Sequence, residues 1–187
     1  MSTTARITVE QYDEMIRQGC FEPSEEHHVE LIYGEISPMM SPINPPHDDT
    51  VDLLNEWSFA CLPRGTIRVR VQGSFGIPLL DSVPQPDIAW LKPGHYRTQR
   101  PLPEDVLLVI EVADSSLAKD RGIKAKLYAE AGIPDYWIVN LRDRTIEVHR
   151  DPQGSSYRSL EIRRIGEEVR PLAFPDVALS VSTLFPE

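Results

Sequence analysis

The chain has 187 residues with 19 Lys and Arg against 29 Asp and Glu, a formal net charge of −10, which excludes a general nucleic-acid binder built on a basic stripe. Its length suits one sizeable core, and no run approaches the roughly 18 apolar residues of a membrane span, so one soluble domain over residues 1–187 is expected, with no membrane segment. The first residues hold Glu10, Asp13 and Glu14 and no apolar signal core, which points to the cytoplasm.

In chain order, Val9, Tyr12 and Ile16 share one helix face, and "HVELIYGEISPMM" alternates around Tyr33-Gly34 as a hairpin. "SPINPPHDDTVDLLNEWSFACL" places prolines ahead of apolar residues 51, 54, 57 and 61, predicting an amphipathic helix from near His47 whose acidic first turn suits the helix dipole. "TIRVRVQGSFGI" alternates Ile67, Val69 and Val71 against Arg68, Arg70 and Gln72, a strand with one polar face, and "PDIAWL" is a further short strand. After a Pro-rich loop, "DVLLVIEVA" reads as a strand covered on both faces. "DSSLAKDRG" is expected to be a loop, longer than usual and therefore a hint of function, and "IKAKLYAEAG" a helix ended by Gly132 and Pro134. "DYWIVNL", "TIEVHR", "YRSLEIRRI" and "VRPLAF" follow as strands, and "VSTLF" closes the chain. Cys20 and Cys61 lack metal-cage spacing and read as reduced thiols. The class is α/β or α+β, with a mixed central sheet, flanking helices and additional β-hairpins.

Successive strands commonly pair antiparallel, which puts Asp87, at the start of one, beside Glu111, near the end of the next. The chain then passes through a helix to "DYWIVNL", a β-α-β unit whose helix starts at the same end of the sheet. Lys124, Leu127, Tyr128 and Ala131 form its inward stripe, headed by Lys124. Carboxylates from Asp87 and Glu111, with a backbone carbonyl such as that of Val112, suit Mg²⁺, which takes oxygen ligands and keeps several waters. Such an ion would activate water against a phosphodiester, with Lys124 positioning the water or meeting the developing charge.

These stretches resemble the PD-(D/E)XK nuclease superfamily with its restriction-endonuclease-like fold, and more closely the Uma-type restriction endonuclease group. The resemblance is carried in order by "VELIYGEI", "SPINPPH", "QPDIAW", "VIEVADSS" and "KAKLYAEAGIPDYWIVN", over most of residues 28–141. It implies that the family's PD aspartate is Asp87 and its acidic residue Glu111. The lysine expected two residues later is absent, because Ala113 stands there, and its counterpart in the following helix is Lys124. Asp114-Ser115-Ser116 replaces the usual S-P-S. Glu30, His47 and Gln72 lie in matching stretches and are implied as supports for a metal or phosphate.

Each residue also has a plainer role. Asp87 suits a turn after proline, Glu111 a strand end, and Lys124 can snorkel past a core. His47 suits a helix start, Glu30, in a hairpin strand beside His27 and His28, a plain cross-strand charge partner, and Gln72 a solvated face that would equally line a phosphate channel. The joint expectation is a Mg²⁺-dependent endonuclease acting on DNA, with Mn²⁺ as substitute and a homodimer compatible with half-site logic. The alternatives are a catalytically silent nucleic-acid-binding or scaffold module of the same fold, and a hydrolase of small phosphate esters.

Overall fold

The computed structural model describes residues 6–21, 29–38 and 44–185. His27, His28 and the start of "SPINPPH" lie outside them. Six strands form one sheet in the order β3-β4-β5-β6-β7-β8: Arg68–Val71, Ile88–Leu91, Val106–Ala113, Asp135–Asn140, Thr145–Gln153 and Ser156–Arg164. β5 and β6 run parallel and the other neighbouring pairs antiparallel. β1 (Val29–Ile32) and β2 (Glu35–Pro38) make a separate hairpin, with Tyr33 and Gly34 both at positive φ, the backbone a tight two-residue turn requires. Pairing of Leu31 with Val83 ties this hairpin to the chain that leads into β4.

Helix α1 (Val9–Arg17) packs on the hairpin through Val9 and Tyr12, against Leu31 and Val83. Helix α2 (Pro45–Ala60) begins two residues before His47, because Asn44 caps it and the prolines occupy first-turn positions whose N–H groups need no helical partner. α2 covers one face of the sheet. Val51 and Leu54 meet Ile88, Trp90, Ile110, Val112, Trp137 and Val139, with Trp57 stacked on Trp90 at 5.0 Å. The Trp90 indole donates to Ser58, so its buried N–H is satisfied. The opposite face buries Ala89, Leu91, Val109, Ala113 and Ile138 beneath Leu127 and Tyr128. β5 therefore lies between two apolar layers, as its unbroken run of large aliphatics predicts.

The structure departs from the sequence reading at three places. Residues 117–122 are helical: α3 (Leu117–Lys119) continues through a π turn (Asp120–Lys124) into α4 (Ala125–Glu130), with the Ala125 N–H reaching back to the Asp120 carbonyl. The link from β5 is Asp114 to Ser116, of ordinary length, so length gives no functional argument; Gly122 is carried within the helical run rather than ending it. "VRPLAF" is strand only at Val169: β9 (Glu168–Val169) pairs with β10 (Leu179–Ser180), and Pro171, which has no N–H, comes two residues later. Gln72 leaves the alternation of Arg68 and Arg70 because it adopts φ 46°, which turns the chain at the end of β3. "VSTLF" closes the described chain as a 3-10 turn over Val181–Leu184.

Candidate active site

The pairing of Ile88 with Ile110 puts Asp87 and Glu111 opposite each other one step beyond the last registered pair of β4 and β5. Glu111 shares its strand face with Val109 and Ala113, under the helical run, and its residue is only 4% exposed. Lys124 Nζ and the Tyr128 hydroxyl both donate to its Oε1, each at 2.8 Å. Helical spacing of four residues aligns these two donors on one stripe. Burial pushes the Glu111 carboxyl up to about 8, and the charges of Asp120 and Asp87 push the same way against the pull of Lys124. Burial works against the charge of Lys124, but Glu111, Glu30 and Asp120 outweigh it and hold its pKa above the usual lysine range.

Asp87 is held differently. Its Oδ2 accepts the Val112 N–H at 2.8 Å, taking the place of a ladder carbonyl where β4 has not yet begun. His47, in the first turns of α2, brings Nε2 to 3.4 Å from the same oxygen, and this contact raises the His47 pKa despite burial. Asn44 accepts the His47 N–H at 3.1 Å and donates its own amide to Asp114 at 2.7 Å, fastening the start of α2 to the chain leaving β5. Arg142 also donates to Asp114; these two hydrogen bonds hold that carboxyl below its ordinary range.

Glu30, on the hairpin, is buried beside these groups. Lys119 donates to its Oε1, and Lys124 lies 3.8 Å from its Oε2, an oxygen that accepts no hydrogen bond among the described residues. The structure thus brings Asp87, Glu111, Lys124, Glu30 and His47 to one end of the sheet. Gln72 joins through its backbone: its N–H donates to the Asp87 carbonyl at 2.8 Å, and its own carbonyl accepts from Gln85. Asp120 and Lys119 were missed because their segment reads as a loop. Asp120 is buried four residues before Lys124, accepts from Ser116 at 2.6 Å, and has its carboxyl raised chiefly by burial. A helix extended back by six residues would have placed it on the Lys124 stripe. Tyr128 was visible on that stripe, read there as a core residue.

The donor set fits a hard divalent cation of modest protein coordination. Among the described residues, no three His, Cys, Asp or Glu side chains form a cage for a metal. Mg²⁺ needs no such cage, since one or two carboxylates with waters suffice. Asp87 Oδ1 and Glu111 Oε2 accept no hydrogen bond among the described residues, because the contacts above engage the other oxygen of each carboxylate. In a strand the C=O of a residue points to the same edge as its N–H, so the Val112 carbonyl shares the edge on which Asp87 sits.

No curated protein matches the chain. Among solved structures, a "putative nuclease belonging to DUF820" from Anabaena variabilis ATCC 29413 superposes with a TM-score of 0.73 at 18% identity, covering 96% of this chain and 97% of that one. That likeness establishes a shared fold. Residues 9–182 match the family Uma2, described as "Putative restriction endonuclease", and with nearly the whole chain covered, the protein belongs to that family.

Proposed function

We propose that the protein hydrolyses phosphodiester bonds of DNA as a Mg²⁺-dependent endonuclease, with Mn²⁺ as substitute. The observation that carries this is the convergence of Asp87 and Glu111, each with one oxygen uncommitted among the described residues, at a strand end where Lys124 is buried against them. Asp87, Glu111 and the Val112 carbonyl would hold the ion. Bound there, it supplies a water of lowered pKa and positive charge against the phosphate oxygens.

The protein's own groups prepare that site. Lys124 donates to Glu111 and presents an ammonium beside the place where charge develops on the phosphate oxygens, a stabilisation that grows as water is excluded. Tyr128 fixes the carboxylate rotamer from the same side. His47 and the Val112 N–H hold Asp87 so that its free oxygen stays on the edge it shares with Glu111. Glu30 keeps Lys124 from swinging away by offering a second buried carboxylate.

Supercoiled plasmid incubated with Mg²⁺ or Mn²⁺ over a range of pH tests the reading. Nicking by the wild type that disappears in Glu111→Gln supports it. Intact plasmid under all conditions overturns it and leaves a silent module of the same fold or a hydrolase of small phosphate esters.

A further inference from the structure

The helical run from Leu117 to Glu130 sends three cations to three buried glutamates. Lys119 reaches Glu30, Lys124 reaches Glu111, and Arg121 reaches Glu147 on β7 through Nε at 2.9 Å and a terminal nitrogen. The inner half of each pair is alike: the side chains of Glu30, Glu111 and Glu147 are 0%, 5% and 4% exposed. The outer halves differ. The Lys124 side chain is 6% exposed, whereas Lys119 and Arg121 are 34% and 47% exposed. Two of the cations are thus held to a buried glutamate through the charged group itself while their side chains remain partly open to solvent.

The tethers point in different directions. Glu30 sits on the hairpin that is tied to the chain entering β4, and Glu147 sits on β7, two strands beyond β5 on the other side. Lys119 and Arg121 therefore straddle the strand that carries Glu111. Each keeps donors in reserve. An ammonium has three donors and a guanidinium five, and among the described residues Lys119 uses Nζ on Glu30 alone, while Arg121 leaves NH1 without an acceptor. Anchoring reduces the side-chain freedom lost when an anion binds. A chain of net charge −10 needs local cations of this kind to hold a polyanion.

We infer that Lys119 and Arg121 form a two-cation clamp for the nucleic-acid phosphates on either side of the one facing Lys124. The clamp rests on the phosphodiester reading above and names the groups that hold the backbone. Both residues act on binding, not on the reacting atoms.

The test is fluorescence anisotropy of a short labelled DNA duplex with the full chain in chelator, so that nothing is cleaved, over a salt series. Lys119→Ala and Arg121→Ala are each expected to weaken binding several-fold and to lower the slope of log K against log salt by about 1, the signature of one lost phosphate contact. Lys119→Arg and Arg121→Lys keep the charge and restore the slope, a result that a purely structural role would not produce. If Arg121→Ala strands Glu147 and unfolds the protein, Arg121→Ala combined with Glu147→Gln removes both halves of the pair and is measured instead. Unchanged affinity and slope in the alanine variants, with wild type bound, overturn the clamp alone. No binding by wild type at any salt overturns both the clamp and the nucleic-acid reading. Binding with the expected slopes but without nicking upholds the clamp and sinks the hydrolysis.

Discussion

Replacing Lys124 by methionine removes the ammonium 2.8 Å from Glu111 while keeping most of the side-chain volume. In chelator-treated protein, burial already holds the Glu111 carboxyl at about 8 against an ordinary 4.5, and loss of the lysine drives it higher. A carboxyl with a raised folded pKa keeps a proton that the unfolded chain has released. Its contribution therefore favours folding below its unfolded pKa and fades as pH rises toward the folded value. In the wild type that fading ends near pH 8; in Lys124→Met it continues upward. At pH 7 the variant should lose about 1.5–2 kcal/mol, the worth of one hydrogen bond to a charged group. Above pH 8 the gap should widen by about 1.4 kcal/mol per pH unit, reaching about 3.5–4 kcal/mol by about pH 9.5, within the range for breaking a buried ion pair. Lys124 itself stays charged throughout, since its neighbours hold its pKa above the usual lysine range. Urea unfolding of both proteins between pH 6 and about 9.5 measures the gap. A gap that does not change with pH would refute the reasoning, because Glu111 would then not be the group that Lys124 neutralises.

Other consequences are local. In metal-free protein the NMR titration of His47 should have its midpoint above the ordinary 6.5, and Asp87→Asn should bring it down, since that carboxylate is the main cause of the rise. The stability this contact lends is full below 6.5 and is lost as pH rises through the raised value; an unmoved midpoint contradicts the contact. Asp135, at the other end of β6, is fully buried and accepts from Arg150, Trp137 and Leu172. Arg150→Met should cost about 3–5 kcal/mol in denaturant unfolding by leaving that acid unpaired, while nicking per folded molecule stays at the wild-type level. A cost below about 1 kcal/mol would show that the three donors are not needed together.

The juxtaposition of Asp87 and Glu111 was legible because it needs only two successive strands to pair antiparallel, a local event with a strong prior. Lys124 was legible from helical periodicity, which holds wherever the helix begins. Its neighbours Lys119, Asp120 and Arg121 were hidden by two serines before them and Gly122 after them, all signals of a loop. Tertiary burial of Asp120 and Lys124 against the sheet overrides those weak preferences. Glu30 could be seen to alternate with Leu31, but its partners depend on a hairpin docked through Val83, far along the sequence. No local pattern carries such a contact. "VRPLAF" misled for the converse reason: its apolar residues suggest a strand, yet beyond Val169 the chain does not pair.

The proposed hydrolysis requires Asp87 and Glu111 to share one cation. Crystals soaked with Mn²⁺ and measured for anomalous scattering address that directly. The expected result is a peak within coordination distance of both carboxylates and of the Val112 carbonyl, absent in Glu111→Gln. A peak elsewhere, or none in wild-type crystals under conditions that support nicking, would contradict the assignment.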